Sequence, residues 1–211
     1  MDCSCCRLIG RQMVSTTHCL KKLPAEPVQA WLRLLLAGFL LLLGSTVSAA
    51  EITYKAVGIG EQDGKILLDI IEHYELTDTM IEALENGVPL TFVTEVMLEP
   101  EDNHFWESAL VKKNLVRKLR YHPLAESYEV WDSLTDKSRF FATREAALVA
   151  LGDIKDWELV PADRLEKNRF YRVTVESWHD IGSLPLPLRP KAYLTPGWHL
   201  GSKVYEWRLQ P

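Results

Sequence analysis

The chain has 211 residues, of which 47 % are apolar and 25 % charged, with a formal charge of −5. That balance excludes an intrinsically disordered chain and suffices for one domain with its own core. Of 24 basic and 29 acidic residues, five and two precede Glu51; the remainder stands at −8, which argues against nucleic acid and anionic lipid as partners.

The first fifty residues read as a leader. All four cysteines (Cys3, Cys5, Cys6 and Cys19) lie here, with no suitably spaced histidine or further cysteine to complete a metal knot. Lys21, Lys22 and Arg33 precede the apolar run from Leu34 to Leu43, and small residues dominate from Gly44 to Ala50. A basic end, an apolar stretch and small residues form the three-part export signal. Cleavage after Ala49 or after Ala50 satisfies the small-residue rule. An uncleaved segment over residues 31–47 would instead anchor the chain in the inner membrane, although a span needs about twenty apolar residues. Either way the expected domains are a leader over 1–50 and a periplasmic domain over 51–211.

The domain reads mainly as strands. Ile52 to Ile59 and Ile66 to Ile71 flank Asp63-Gly64, a strong hairpin signal because both turn positions tolerate positive φ. Thr77 to Glu85 is a short helix, capped by Thr77 or Asp78 and stopped at Gly87. Leu90 to Leu98 alternates as a strand, and Pro100 to Asn103 is a polar loop. Val111 to Tyr121 fits helix or strand; the His122-Pro123 turn before Ser127 to Trp131 favours a hairpin. Thr143 to Leu151 is a second helix, ended by Gly152. Trp157 to Val160 and Phe170 to Trp178 are strands. The proline-rich Leu184 to Pro190 is expected to run extended along a sheet edge. His199 to Leu209 is the last strand, with Tyr205, Trp207 and Leu209 on one face. The expected class is an immunoglobulin-like β-sandwich with two short helices.

Chemistry is hard to place on this sequence. The histidines His73, His104, His122, His179 and His199 show no metal-ligand spacing, and no Gly-x-Ser-x-Gly occurs. Glu72, Glu75, Glu99, Glu101 and Asp102 are read as solvated acids, since neither an EF-hand nor a glycosidase pattern surrounds them. Gly58-Ile59-Gly60 has the wrong spacing for a phosphate loop. Lys112, Lys113, Arg117, Lys118 and Arg120 form the basic cluster and are read as the exposed face of a half-buried strand. Trp106, Trp131, Trp157, Trp178, Trp198 and Trp207 are assigned mostly to the core or its rim, with a partner surface as the alternative. No catalytic, cofactor-binding or metal-binding residue is assigned, and no cofactor or nucleotide is expected.

One resemblance can be drawn. Asn86 to Leu90, Phe105-Trp106-Glu107, Tyr121 with Leu124, Tyr128 with Val130, and Phe140 before Glu145 to Leu148 occur in a fixed order. Asp180, Leu184-Pro185, Pro187, Trp198, Leu200, Ser202 and Trp207 close it. This order resembles the proteobacterial domain of unknown function 4390 family. The resemblance implies a small exported protein in gene clusters with an NtrY-type membrane sensor kinase, and it implies no catalytic residue. Where the family tends to an arginine-rich strand ending in Leu-Asp, this chain has Glu176, Trp178 and His179 before Asp180. The expected function is an exported envelope accessory or interaction module tied to an inner-membrane protein such as that kinase. An envelope hydrolase or metal-dependent enzyme, and a small-ligand or lipid carrier, are the alternatives.

Overall fold

A computed structural model of the chain describes residues 50–102 and 109–211. The leader with its cysteines and export segment, His104, Phe105 and Trp106 lie outside the described residues. Two antiparallel sheets dominate, and with three helices they make the described part mainly β.

Strands β1 (Ile52–Gln62) and β2 (Lys65–Tyr74) form the expected hairpin. Asp63 at φ 51° and Gly64 at φ 69° both take the left-handed conformation that the tight turn needs. Helix α1 (Asp78–Glu85) starts where Thr77 accepts the Met80 amide at 3.0 Å. Strands β3 (Leu90–Pro100), β4 (Val111–His122), β5 (Ser127–Asp132) and β6 (Lys137–Phe141) follow as a meander, so the ambiguous Val111 segment is a strand. Thr143 caps helix α2 (Arg144–Gly152) by accepting from the Ala146 amide. Strand β7 (Asp153–Pro161) leaves that helix directly and is longer than the expected Trp157 to Val160. Strand β8 (Tyr171–His179), helix α3 (Arg189–Leu194) and strand β9 (Tyr205–Leu209) complete the order.

The smaller sheet runs β1-β2-β7 and the larger β6-β5-β4-β3-β8-β9. Their inner faces share an apolar cluster: Leu68 and Ile70 from β2, Ile154 and Trp157 from β7, Val96, Leu115 and Val175 from the large sheet. A second cluster seats α1 through Met80 and Leu84, and α2 through Ala147 and Leu151, on Phe92, Leu119 and Val130.

Two expectations fail near the C-terminus. The proline-rich segment is not an extended edge: it follows a short helical turn at Ile181–Ser183, turns again where the Leu188 amide donates to the Pro185 carbonyl at 2.9 Å, and enters α3 with Pro190 at its start. Proline's fixed φ suits a first helical turn, and Arg189 Nε donates to the Leu184 carbonyl at 2.6 Å to hold it. The last strand is shorter than His199 to Leu209. Gly201 bridges Trp178 and Ser202 bridges Ile52, so this stretch crosses between sheets before β9 begins.

Candidate functional site

Alternation along four strands places polar side chains in one layer between the two apolar clusters. Glu72 lies between Ile70 and Tyr74 on β2, Thr94 between Phe92 and Val96 on β3, and Arg117 between Leu115 and Leu119 on β4. Ser177 lies between Val175 and His179 on β8. All four point inward and are buried.

Arg117 Nη2 donates to Glu72 Oε2 at 2.6 Å and also faces Tyr74 Oη at 3.0 Å and Thr94 Oγ1 at 3.2 Å. Tyr74 Oη donates to Glu72 Oε2 at 2.5 Å, and Ser177 Oγ donates to Glu72 Oε1 at 2.5 Å. Tyr54 continues the layer toward Ser177 and Ser202. Burial opposes the Arg117 charge, yet Tyr74 and the Glu72 carboxylate outweigh it and hold the guanidinium above its ordinary value. Burial raises the Tyr74 phenol well above its ordinary value, so it stays a donor. Arg117 Nε and Nη1 have no hydrogen-bond partner among the described residues, while Asp132 lies opposite on β5 and adds attraction.

This belt corrects two sequence assignments. Arg117, read as part of an exposed basic face, is 1 % exposed, and Glu72, read as a solvated acid, is 4 % exposed. Each sits in phase with apolar neighbours two residues away, which sends it inward. The belt is sealed from solvent, so its chemistry is internal: it pins β2 against β4 and fixes the register of the large sheet.

The other face of β4 carries the remaining basic residues. Lys112, Asn114, Val116, Lys118 and Arg120 point outward. Lys113 is drawn instead to the Glu158 carbonyl at 2.9 Å. Lys118 pairs across the strand with Trp131, and its Nζ lies 4.7 Å from the indole centroid, within cation–π range. Arg120 stands opposite Glu129. Ser138 at 2.5 Å and His122 at 2.7 Å, with the Arg120 charge nearby, hold the Glu129 carboxyl below its ordinary value. Among the described residues neither Lys118 nor Arg120 forms a salt bridge, whereas Lys112 is matched by Glu95 at 3.1 Å. Pro89, Lys118, Arg120, Glu129 and Trp131 line a surface depression of about 350 Å³. Trp178, Val93 and Val116 stand side by side on the same face, each half-buried.

The tryptophans divide accordingly. Trp157 and Trp198 are buried, Trp131, Trp178 and Trp207 half-buried. Of the histidines, His73 and His199 are exposed, His122 pairs with Glu129, and His179 is buried. Among the described residues no group of three histidine, cysteine or acidic side chains could hold a metal ion.

His179 supports a pH prediction. Its Nδ1 lies 3.1 Å from the Trp198 carbonyl, which can only accept, while Nε2 has no partner among the described residues. Burial holds the imidazole below its ordinary value of 6.5. The unfolded chain therefore takes up this proton first. The contribution to stability is full above the unfolded value and declines as pH falls below it. His179→Phe is expected to flatten the difference in unfolding free energy between about pH 7.5 and about pH 5.5, measured by urea denaturation. An unchanged difference would mean that His179 does not titrate differently on folding.

The sequence over residues 49–208 matches the family model described as Domain of unknown function (DUF4390). No curated protein and no solved structure matches the chain.

Proposed function

The chain belongs to the DUF4390 family, and on that premise we propose that it is an exported envelope accessory module that binds an inner-membrane protein. The observation that carries this reading is the outer face of the large sheet. There Lys118 and Arg120 stand without salt bridges beside Trp131, above a register fixed by the buried ion pair. Aromatic and basic side chains whose charge is held in no salt bridge suit an acidic protein partner. A chain that is acidic overall would present this patch as its local exception. The basic end and apolar run before Glu51 support export to the periplasm, by a cleaved signal or as an anchor over residues 31–47. The partner class is a sensor kinase of the NtrY type. We read the two facing sheets as a sandwich of the immunoglobulin-like class, a scaffold suited to presenting surfaces.

The test is in-cell crosslinking of a C-terminally tagged full chain, followed by mass spectrometry of captured envelope proteins. The expected result is capture of one membrane sensor kinase, reduced at least tenfold by Lys118→Glu with Arg120→Glu. Arg120→Glu places a second carboxylate opposite Glu129 and so costs some stability. Lys118→Gln with Arg120→Gln, which removes both charges without that repulsion, should lower capture in the same direction and leave stability within about 1 kcal/mol. Equal capture by the double variant would contradict the reading.

A further inference from the structure

The stretch from Ile181 to Tyr205 differs from the rest of the domain in charge. It holds Arg189, Lys191 and Lys203 and no acidic residue, in a chain with 27 acids and 19 bases from Glu51 onward. The acidic total argues against lipid as a partner of the domain as a whole, and this stretch departs from that total. Among the described residues Arg189 and Lys191 form no salt bridge, and Lys203 meets Glu51 at 3.6 Å.

The same stretch exposes apolar side chains. Of the eleven large apolar side chains exposed among the described residues, Leu186, Tyr193, Leu194, Val204 and Tyr205 lie here. About a sixth of the described residues thus carries nearly half of them. The lobe beneath is well fastened. Ile181, Leu184, Ala192 and Trp198 are buried in the cluster that also holds Met80 and Leu84 of α1. Arg189 Nε donates to the Leu184 carbonyl and Thr77 Oγ1 to the Gly197 carbonyl, both at 2.6 Å. Folding leaves Leu186 and Leu194 outside, at 72 % and 86 % exposure.

The chain enters the domain beside this lobe. Ala50 packs against the same cluster, the Ile52 amide donates to the Gly201 carbonyl at 3.2 Å, and Ile52 bridges Ser202. In sequence the apolar run ends at Leu43, seven residues before Ala50. Seven residues reach at most about 25 Å even when extended. An anchor over residues 31–47 therefore brings this end of the domain to the bilayer first. The β1–β2 turn lies at the other end, about 30 Å along β1. Apolar side chains with a tyrosine and unpaired bases suit a phospholipid headgroup layer. A protein groove could also take the apolar side chains, but only a bilayer gains from the point of entry, because the anchor makes the contact intramolecular.

We propose that this lobe, with Leu186, Tyr193 and Leu194 foremost and Lys191 among them, rests on the phospholipid surface of the inner membrane. The inference rests on the export reading and not on the sensor kinase.

The test uses the full chain with its four native cysteines replaced by serine. It is mixed with vesicles of phosphatidylethanolamine and phosphatidylglycerol that carry a nitroxide-labelled lipid. A fluorophore is attached at Leu186→Cys in one chain and at Gln62→Cys, exposed at the end of β1, in another. Quenching by the lipid is expected to be at least threefold stronger at position 186. Lys191→Glu with Leu194→Glu should at least halve the quenching at 186, whereas Leu194→Phe, which stays apolar, should leave it unchanged. Three results would overturn the proposal: equal quenching at the two positions, undiminished quenching at 186 in the doubly substituted chain, or the same loss with Leu194→Phe as with the paired substitution. None of them bears on capture by the Lys118 face, so the two readings can fail separately.

Discussion

Urea denaturation of an Arg117→Met chain is expected to show a loss of about 3–5 kcal/mol, among the largest effects any single substitution could have here. Methionine fills much of the guanidinium's space and removes its charge. Glu72 is then left as a buried carboxylate, still accepting from Tyr74 and Ser177 but with no cation beside it. The cost comes from that stranded charge more than from a lost hydrogen bond. Adding Glu72→Gln removes the charge and keeps one carbonyl acceptor, with the amide nitrogen donating to the hydroxyl that loses its acceptor. The double variant should therefore recover at least half of the loss. A double-mutant cycle measures this directly, because the two residues are in contact and additivity should fail. Losses that simply add would mean that the two charges do not depend on each other.

Gly152→Ala carries the second large effect. The residue ends α2 but does not need a positive φ; what it needs is the absence of a side chain. A Cβ there would fall on the Glu72 carbonyl oxygen, with the carbonyl carbon 2.9 Å away. The obstacle is backbone and cannot rotate aside, so either α2 or β2 must move. The expected loss is at or above the upper end of the usual overpacking range, about 3 kcal/mol. Gly60→Ala is the comparison: nothing lies within 4 Å, and alanine in an extended strand should be neutral or slightly stabilising. Thermal denaturation of the two variants separates crowding from a general cost of replacing glycine.

Gly152 also marks how far the sequence could be read. A glycine after an apolar helical stretch is a stop signal, and the helix does stop there. That it also lets α2 lie against Glu72 depends on a contact eighty residues back in the chain, which no local pattern encodes. The hairpin at Asp63-Gly64 and the caps at Thr77 and Thr143 were legible because each is a local device. The alternation of β3 and β8 was legible for the same reason.

Arg117 and Glu72 lie inside against the expectation from their charge, because strand phase decides their side. Ile66, Leu68, Ile70, Glu72 and Tyr74 hold one parity, as do Val111, Leu115, Arg117 and Leu119; phase alone puts both charges inside. The pairing of one buried charge with the other joins two sheets and could not be read from either strand alone. Lys118 and Arg120 were placed correctly on an exposed face. Their meeting with Trp131 follows from the β4–β5 register, which the buried layer helps to set. The C-terminal segment departs from an extended edge because proline suits a first helical turn as well as extended chain, and Pro190 opens a helix.

The most direct test of binding through the large sheet is site-specific photocrosslinking in intact cells. A photoreactive side chain replaces Lys118 on the outer face in one copy and Val149 on the exposed side of α2 in another. The account predicts an adduct with one inner-membrane sensor kinase from position 118 and none from position 149. Adducts of equal yield from both positions, or none with a membrane protein from position 118, would contradict it.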